Sequence, residues 1–131
     1  MEIILTKKDM SLLRMAKIAS RDSNAKNFRL GAVVARGGQI LGVGANNTTK
    51  THPRSNSPNN RIHAELSAII NARTDLRGTT LYVVRTGRKE RPLLARPCKH
   101  CQALIQKEGI RYVCFTVLGG YLKIEATSFK G

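Results

Sequence analysis

Only four residues, Val117-Leu118-Gly119-Gly120, separate two apolar runs near the end of this chain, Ile110–Thr116 and Tyr121–Ala126. Both runs carry β-branched or aromatic residues and read as strands. Parallel neighbours need a crossover of about a dozen residues or more, whereas antiparallel ones need only a tight turn. The last two strands are therefore expected to pair antiparallel. Upstream, "GAVVARGGQILGVGAN" predicts two further strands near 31–36 and 39–45, with Gly37-Gly38 as the hairpin turn between them. "TTLYVVR" at 79–85 predicts another.

Helices fill the intervals. Thr6 with Asp9 three residues on forms a capping-box pattern, and Leu12, Met15, Ala16 and Ala19 follow at helical spacing. Residues 7–20 are thus expected as a helix with one apolar face. A second helix has Leu66, Ile69 and Ile70 on one side. A third begins at Pro97, turns Leu104 and Ile105 inward and stops at Gly109. The order helix, strand, strand, helix, strand, helix, strand, strand implies a mixed sheet of about five strands with helices packed on it. Residues 46–61, "NNTTKTHPRSNSPNNR", contain no apolar residue and predict a long surface loop. Residues 86–96 predict a second, basic loop.

A chain of 131 residues can bury a core without staples, and a single domain over 1–131 is expected. No apolar run is long enough for a membrane span, and the N-terminus lacks the pattern of a signal peptide. Three cysteines, two of them as C-x-x-C, fit a reducing cytoplasm better than a disulfide framework. The charge is lopsided: 23 Lys and Arg against 8 Asp and Glu, net +15. That balance favours phosphate-bearing partners, free nucleotides or nucleic acid, over an uncharged ligand.

The chemistry sits in two stretches, "NNRIHAELSAII" at 59–70 and "ARPCKHCQALIQ" at 95–106. H-x-E alone is weak, and C-x-x-C alone also fits a redox pair or half of a structural zinc site. There is no second C-x-x-C to complete a four-cysteine site. Read jointly, His63, Cys98 and Cys101 are a donor set for catalytic zinc, which takes three nitrogen or sulfur ligands and leaves a fourth position to water. Cys98 and Cys101 are three apart and share a face of a helix's first turn, where free N–H groups favour thiolates. Residues two apart lie on different faces of a helix, so His63 and Glu65 can share a site only at the helix entry. Placed there, Glu65 could take a proton from the water and pass it to a departing nitrogen. His100 is expected to face solvent, and Cys114 to be a core thiol.

"HAE" at 63–65 followed by "PCKHC" at 97–101 resembles the zinc-dependent cytidine and deoxycytidylate deaminase superfamily, whose H-x-E…P-C-x-x-C signature is established. The resemblance covers about residues 7–126. "KTHPRS…NNRIHAE" and "LLARPCKHC" look most like small deoxycytidylate-deaminase-type proteins. The resemblance implies an α/β, three-layer, cytidine-deaminase-like fold, with a mixed five-stranded sheet and helices on both faces. It implies zinc held by His63, Cys98 and Cys101, and Glu65 as the proton shuttle. Asn46 resembles the asparagine that touches base or sugar, and the backbone at Ala64, Ala95 and Cys98 would meet the base edge. A homo-oligomer is expected.

Deoxycytidylate is the substrate favoured by this reading, with cytosine or adenine in single-stranded DNA or RNA as its rival. His52, with Lys50 and Arg54 nearby, is a candidate for a phosphate, and Arg88, Lys89, Arg91 and Arg96 belong to the loop that feeds the cysteine helix. Strand binders stack bases on aromatic side chains. Trp is absent, Tyr82, Tyr112, Phe115 and Tyr121 fall in expected strands, and the two expected loops hold no aromatic residue; Phe28, just before the first strand, is the exception placed to meet a base.

Overall fold

In the computed structural model, Thr6 caps the first helix as its sequence requires. Its hydroxyl accepts from the Asp9 N–H at 3.1 Å, and the Asp9 carboxylate accepts from the Thr6 N–H at 2.9 Å. Helix α1 then runs Lys7–Ser20. The structure describes residues 3–25, 28–51, 61–87 and 91–129. After α1 come β1 (Arg29–Arg36), β2 (Gln39–Ala45), β3 (Asn47–Thr51), β4 (Arg61–Ile62), α2 (Ala64–Ala72) and β5 (Thr80–Thr86). They are followed by β6 (Pro92–Leu93), α3 (Lys99–Lys107), β7 (Tyr112–Val117), β8 (Gly120–Glu125) and a 3-10 turn at Ala126–Ser128.

The main sheet has the order β2-β1-β5-β7-β8, with β6 added beside β5. β5 and β7 are parallel, and α3 supplies the crossover that such a pair needs. β2–β1, β1–β5 and β7–β8 are antiparallel. Side chains alternate across the pleat. Ala32, Val34, Leu81, Val83, Val113 and Phe115 form one core with Ala64, Ala68 and Ile69 of α2 and Ile105 of α3. Val33, Ala35, Tyr82, Val84 and Cys114 form a second core with Leu12, Leu13 and Ala16 of α1. The result is three layers, with α1 on one face and α2 and α3 on the other.

Two glycines let the helices come close. A Cβ on Gly31 of β1 would lie 2.1 Å from the Ala16 carbonyl oxygen of α1, and one on Gly42 of β2 would lie 2.3 Å from that of Ala68 in α2. Backbone cannot yield there, so α2 holds its height above the sheet only over glycine. The position of its N-terminus, where the chemistry lies, depends on that contact.

Two details differ from the sequence reading. The stretch 46–61 is not all loop: Asn47–Thr51 pairs antiparallel with Arg61–Ile62, with residues 52–60 outside the described part. Its threonines have strand propensity without the apolar alternation that makes a strand legible. The other is β6, two residues inside the expected basic loop. Phe129, beyond the last expected strand, is buried in the α2–α3 core.

A buried ion pair ties α1 to the sheet. The Asp9 carboxylate accepts from Tyr82 Oη at 2.6 Å and from Lys123 Nζ at 2.9 Å. Burial raises the Asp9 carboxyl's pKa, but the Thr6, Tyr82 and Lys123 bonds together outweigh it and hold the group below its ordinary value. A depressed carboxyl pKa stabilises the fold above the unfolded value of about 4, and that stability is lost as pH falls through the folded one. Asp9→Asn should lower unfolding free energy by about 3 kcal/mol at pH 7, because Lys123 is left buried without its counter-charge. Urea titrations at pH 7 and pH 3 test this: the deficit should shrink in acid, and a deficit independent of pH would contradict it.

Candidate metal centre

The two motifs meet at the N-termini of α2 and α3. His63 is the N-cap of α2, in extended conformation (φ −85°, ψ 155°), and Ala64 and Glu65 open the helix. Cys98 is the N-cap of α3 (φ −69°, ψ 170°), and Cys101 lies in its first turn. Cys98 therefore stands one step outside the helix rather than within its first turn. Gln102 secures this corner: its N–H donates to the Cys98 carbonyl at 2.8 Å and its Nε2 to the Pro97 carbonyl at 2.7 Å. Neither His63 nor Cys98 makes a side-chain cap bond. Both face each other instead.

Cys98 Sγ lies 3.6 Å and Cys101 Sγ 3.3 Å from His63 Nδ1, and all three ligand atoms fall within 4.8 Å of one another. Tetrahedral zinc, with Zn–S near ~2.3 Å and Zn–N near ~2.0 Å, sets such atoms about 3.6 Å apart. The donor set and its spacing fit that ion. Hydrogen bonds from Cys101 and His63 push the Cys98 thiol down to about 3. The Cys101 thiol is pushed up by its bond to Cys98 and by burial, so the negative charge rests on Cys98. The bond to Cys98 raises the His63 pKa. A metal must displace these protons, and its affinity will fall in acid.

Glu65 is only 4% exposed, and burial raises its carboxyl above the ordinary range. Its side chain also hydrogen-bonds Cys101. The arrangement combines a nitrogen and two sulfur donors with a desolvated carboxyl that touches one of the sulfurs. Ala64 and Ala95, assigned to the base edge, are both buried in the same core. Ala95 N–H is already given to the Thr116 carbonyl at 2.9 Å. Asn46 spends both ends of its carboxamide on main chain, accepting from Leu30 N–H at 2.9 Å and donating to Phe28 O at 2.6 Å.

Phe28 is 56% exposed, with the Arg85 guanidinium 4.2 Å above its ring. His52 and Arg54, like Arg88 and Lys89, lie outside the described residues, as does the Lys50 side chain. Arg91 and Arg96 are exposed. His100 is exposed and stands apart from the ligand cluster, and Cys114 is fully buried. Arg85 was not singled out from the sequence, because a basic residue ending an apolar strand looks like any solvated strand end.

Residues 6–117 match the family described as cytidine and deoxycytidylate deaminase zinc-binding region. No curated protein matches the chain in sequence. The fold is similar to that of dCMP deaminase from the cyanophage S-TIM5 in complex with dCMP and dUMP, at 21% identity and TM-score 0.66 over 86% of this chain and 83% of that one. It is also similar to cytidine deaminase from Burkholderia pseudomallei, at 22% identity and TM-score 0.68 over 93% and 94% of the two chains. The Mycobacterium leprae cytidine deaminase shares 23% identity and a TM-score of 0.59 over 87% and 91%.

Proposed function

Because the chain belongs to the cytidine and deoxycytidylate deaminase family, we propose that it deaminates a cytosine nucleotide, deoxycytidylate first, to the uracil nucleotide and ammonia. It is a zinc-dependent deaminase. The observation that carries the reading is the convergence of His63, Cys98 and Cys101 beside buried Glu65. His63, Cys98 and Cys101 hold the metal, which when bound supplies a Lewis acid that acidifies water at neutral pH. Glu65 takes a proton from the attacking water and delivers it to the exocyclic nitrogen. The water's other proton goes to the neighbouring ring nitrogen, its oxygen stays on the ring carbon as the carbonyl, the carbon–nitrogen bond breaks, and ammonia leaves. Burial keeps the Glu65 carboxyl away from bulk water, so its proton goes to substrate. We extend the proposal to a single domain over 1–131 that acts as a homo-oligomer in a reducing cytoplasm, where both thiols stay reduced and able to hold the metal.

A phosphate on the substrate is supported by the net charge of +15 and by the nucleotides bound to the S-TIM5 enzyme. The second reading, deamination of cytosine or adenine within single-stranded DNA or RNA, draws on the same charge. Against it, Tyr82 and Phe115 are buried and Tyr112 and Tyr121 half-buried in strands, so few aromatics are placed to stack bases. The expected result is turnover of deoxycytidylate with modest salt dependence and little turnover of deoxycytidine. A strand binder engages several phosphates and loses affinity steeply with salt. Assays of deoxycytidylate, deoxycytidine and a cytosine-containing single strand at low and moderate salt decide the matter. Reaction of the strand alone, with affinity collapsing as salt rises, would overturn the nucleotide reading.

A further inference from the structure

Arg85 is the penultimate residue of β5, on the sheet face covered by α2 and α3, whose N-termini carry the metal centre. Leu81 and Val83, which share its side of the pleat, pack in the core under α2 and α3. Arg85 pairs with Leu30 of β1 on one side and Leu93 of β6 on the other. Its N–H donates to Thr116 Oγ1 at 3.2 Å, and the Thr116 carbonyl accepts from Ala95, three residues before Cys98. On the opposite side, Asn46 binds Leu30 N–H and Phe28 O, which fixes the segment that carries the Phe28 ring. Arg85 thus stands between Phe28 and Asn46 and the strand edge that leads to the cysteines.

Its guanidinium is held but not satisfied. The ring of Phe28 lies 4.2 Å below it, and a stacked guanidinium keeps its N–H edge free for a ligand. Arg85 Nε is buried and has no hydrogen-bond partner. Among the described residues, no carboxylate pairs with Arg85, whereas Arg77 pairs with Asp75 and Lys123 with Asp9. Buried donors are nearly always satisfied, so one left open on the sheet face that carries the metal centre calls for an acceptor. A phosphate oxygen suits it, because the planar fork of Arg matches phosphate with two parallel N–H bonds.

We infer that Arg85, braced on Phe28, binds the substrate's phosphate and is the residue by which this site prefers a nucleotide to a nucleoside. The inference rests on the deaminase reading above and deepens it. The phosphate belongs either to a free nucleotide or to a strand backbone, and Arg85 would recognise the same group in both.

The test uses zinc-loaded wild type, Arg85→Gln and Arg85→Lys, with deoxycytidylate, deoxycytidine and a single strand bearing one cytosine. Zinc content and thermal unfolding establish that each variant is folded, and Arg85→Lys carries the test if Arg85→Gln loses its metal. For Arg85→Gln, KM for deoxycytidylate should rise about tenfold or more with kcat changed by less than about threefold. The preference for nucleotide over nucleoside should fall by the same factor. Arg85→Lys should lie between, since an ammonium keeps the charge and loses the fork. Inorganic phosphate should inhibit wild type more than Arg85→Gln. If the strand is the substrate that loses affinity on substitution, the phosphate is that of the backbone. An equal rise in KM for nucleotide and nucleoside would make Arg85 a structural brace and overturn the inference, as would an unchanged KM with unchanged phosphate inhibition. If wild type deaminates none of these, the deaminase reading itself falls, and this inference with it.

Discussion

Glu65→Gln should keep one zinc per chain and the native fold while kcat falls by about two to four orders of magnitude, the usual worth of a positioned proton carrier. The same carboxyl is asked to act twice, on the incoming water and on the departing amine, so the upper end of that range is expected. Gln fills the same volume and keeps a carbonyl oxygen but cannot exchange a proton. Glu65 is 4% exposed, and its burial disfavours the charged form. Gln carries no charge to desolvate and keeps a hydrogen-bonding group beside Cys101, so the fold should not be weakened. Thermal unfolding at or above the wild-type temperature should accompany the lost turnover. Single-turnover assays with deoxycytidylate, zinc analysis and a melting curve on the same preparation make the comparison. Near-normal turnover would show that another group moves the proton; a loss of zinc would show that Glu65 belongs to the metal's ligands.

The parts of the fold that were legible in the sequence are those where one local rule dominates. Thr6 and Asp9 form a box whose geometry is set within four residues, and α1 starts where they place it. The turn at Leu118-Gly119, with Gly119 at φ 84°, is too short for anything but an antiparallel return between β7 and β8. The meeting of the two motifs was legible for a different reason. His63 and Glu65 can act together only at a helix entry, and that is where His63 stands.

What escaped the sequence is set by neighbours distant along the chain. β3 and β6 are strands because of the partners they find, β4 and β5, and their own residues show no alternation. Phe129 looks like a terminal residue until Gln106 binds the Phe129 carbonyl at 2.9 Å and turns that segment onto α3. Asn46, expected at a base or sugar, also braces the backbone of residues 28–30, a role set by the pairing of β1 with β2. Arg85 was just one of 23 basic residues, and only the pairing of β1 with β5 brings Phe28 beneath it.

Cys98→Ser should separate the two roles that residue 98 can play. Its sulfur lies 3.6 Å from His63 Nδ1, so a hydroxyl in its place removes one of two thiolates from the donor set. Zinc should drop well below one per chain in protein purified without chelator, and turnover should fall to background. Position 98 is also the N-cap of α3, where Cys makes no cap bond. Serine is among the preferred N-caps, and its hydroxyl can accept from an N–H of the first turn, worth about 1 kcal/mol. Metal that binds only the folded chain adds stability by mass action. Three melting temperatures should therefore fall in a fixed order: zinc-loaded wild type highest, Cys98→Ser next, chelator-treated wild type lowest or level with the variant. A variant that keeps full zinc and turnover would remove Cys98 from the ligand set. A variant that loses zinc yet melts below chelated wild type would leave the ligand assignment standing and refute the cap. The order expected here means that the N-termini of α2 and α3 give up local helix stability to bind a metal.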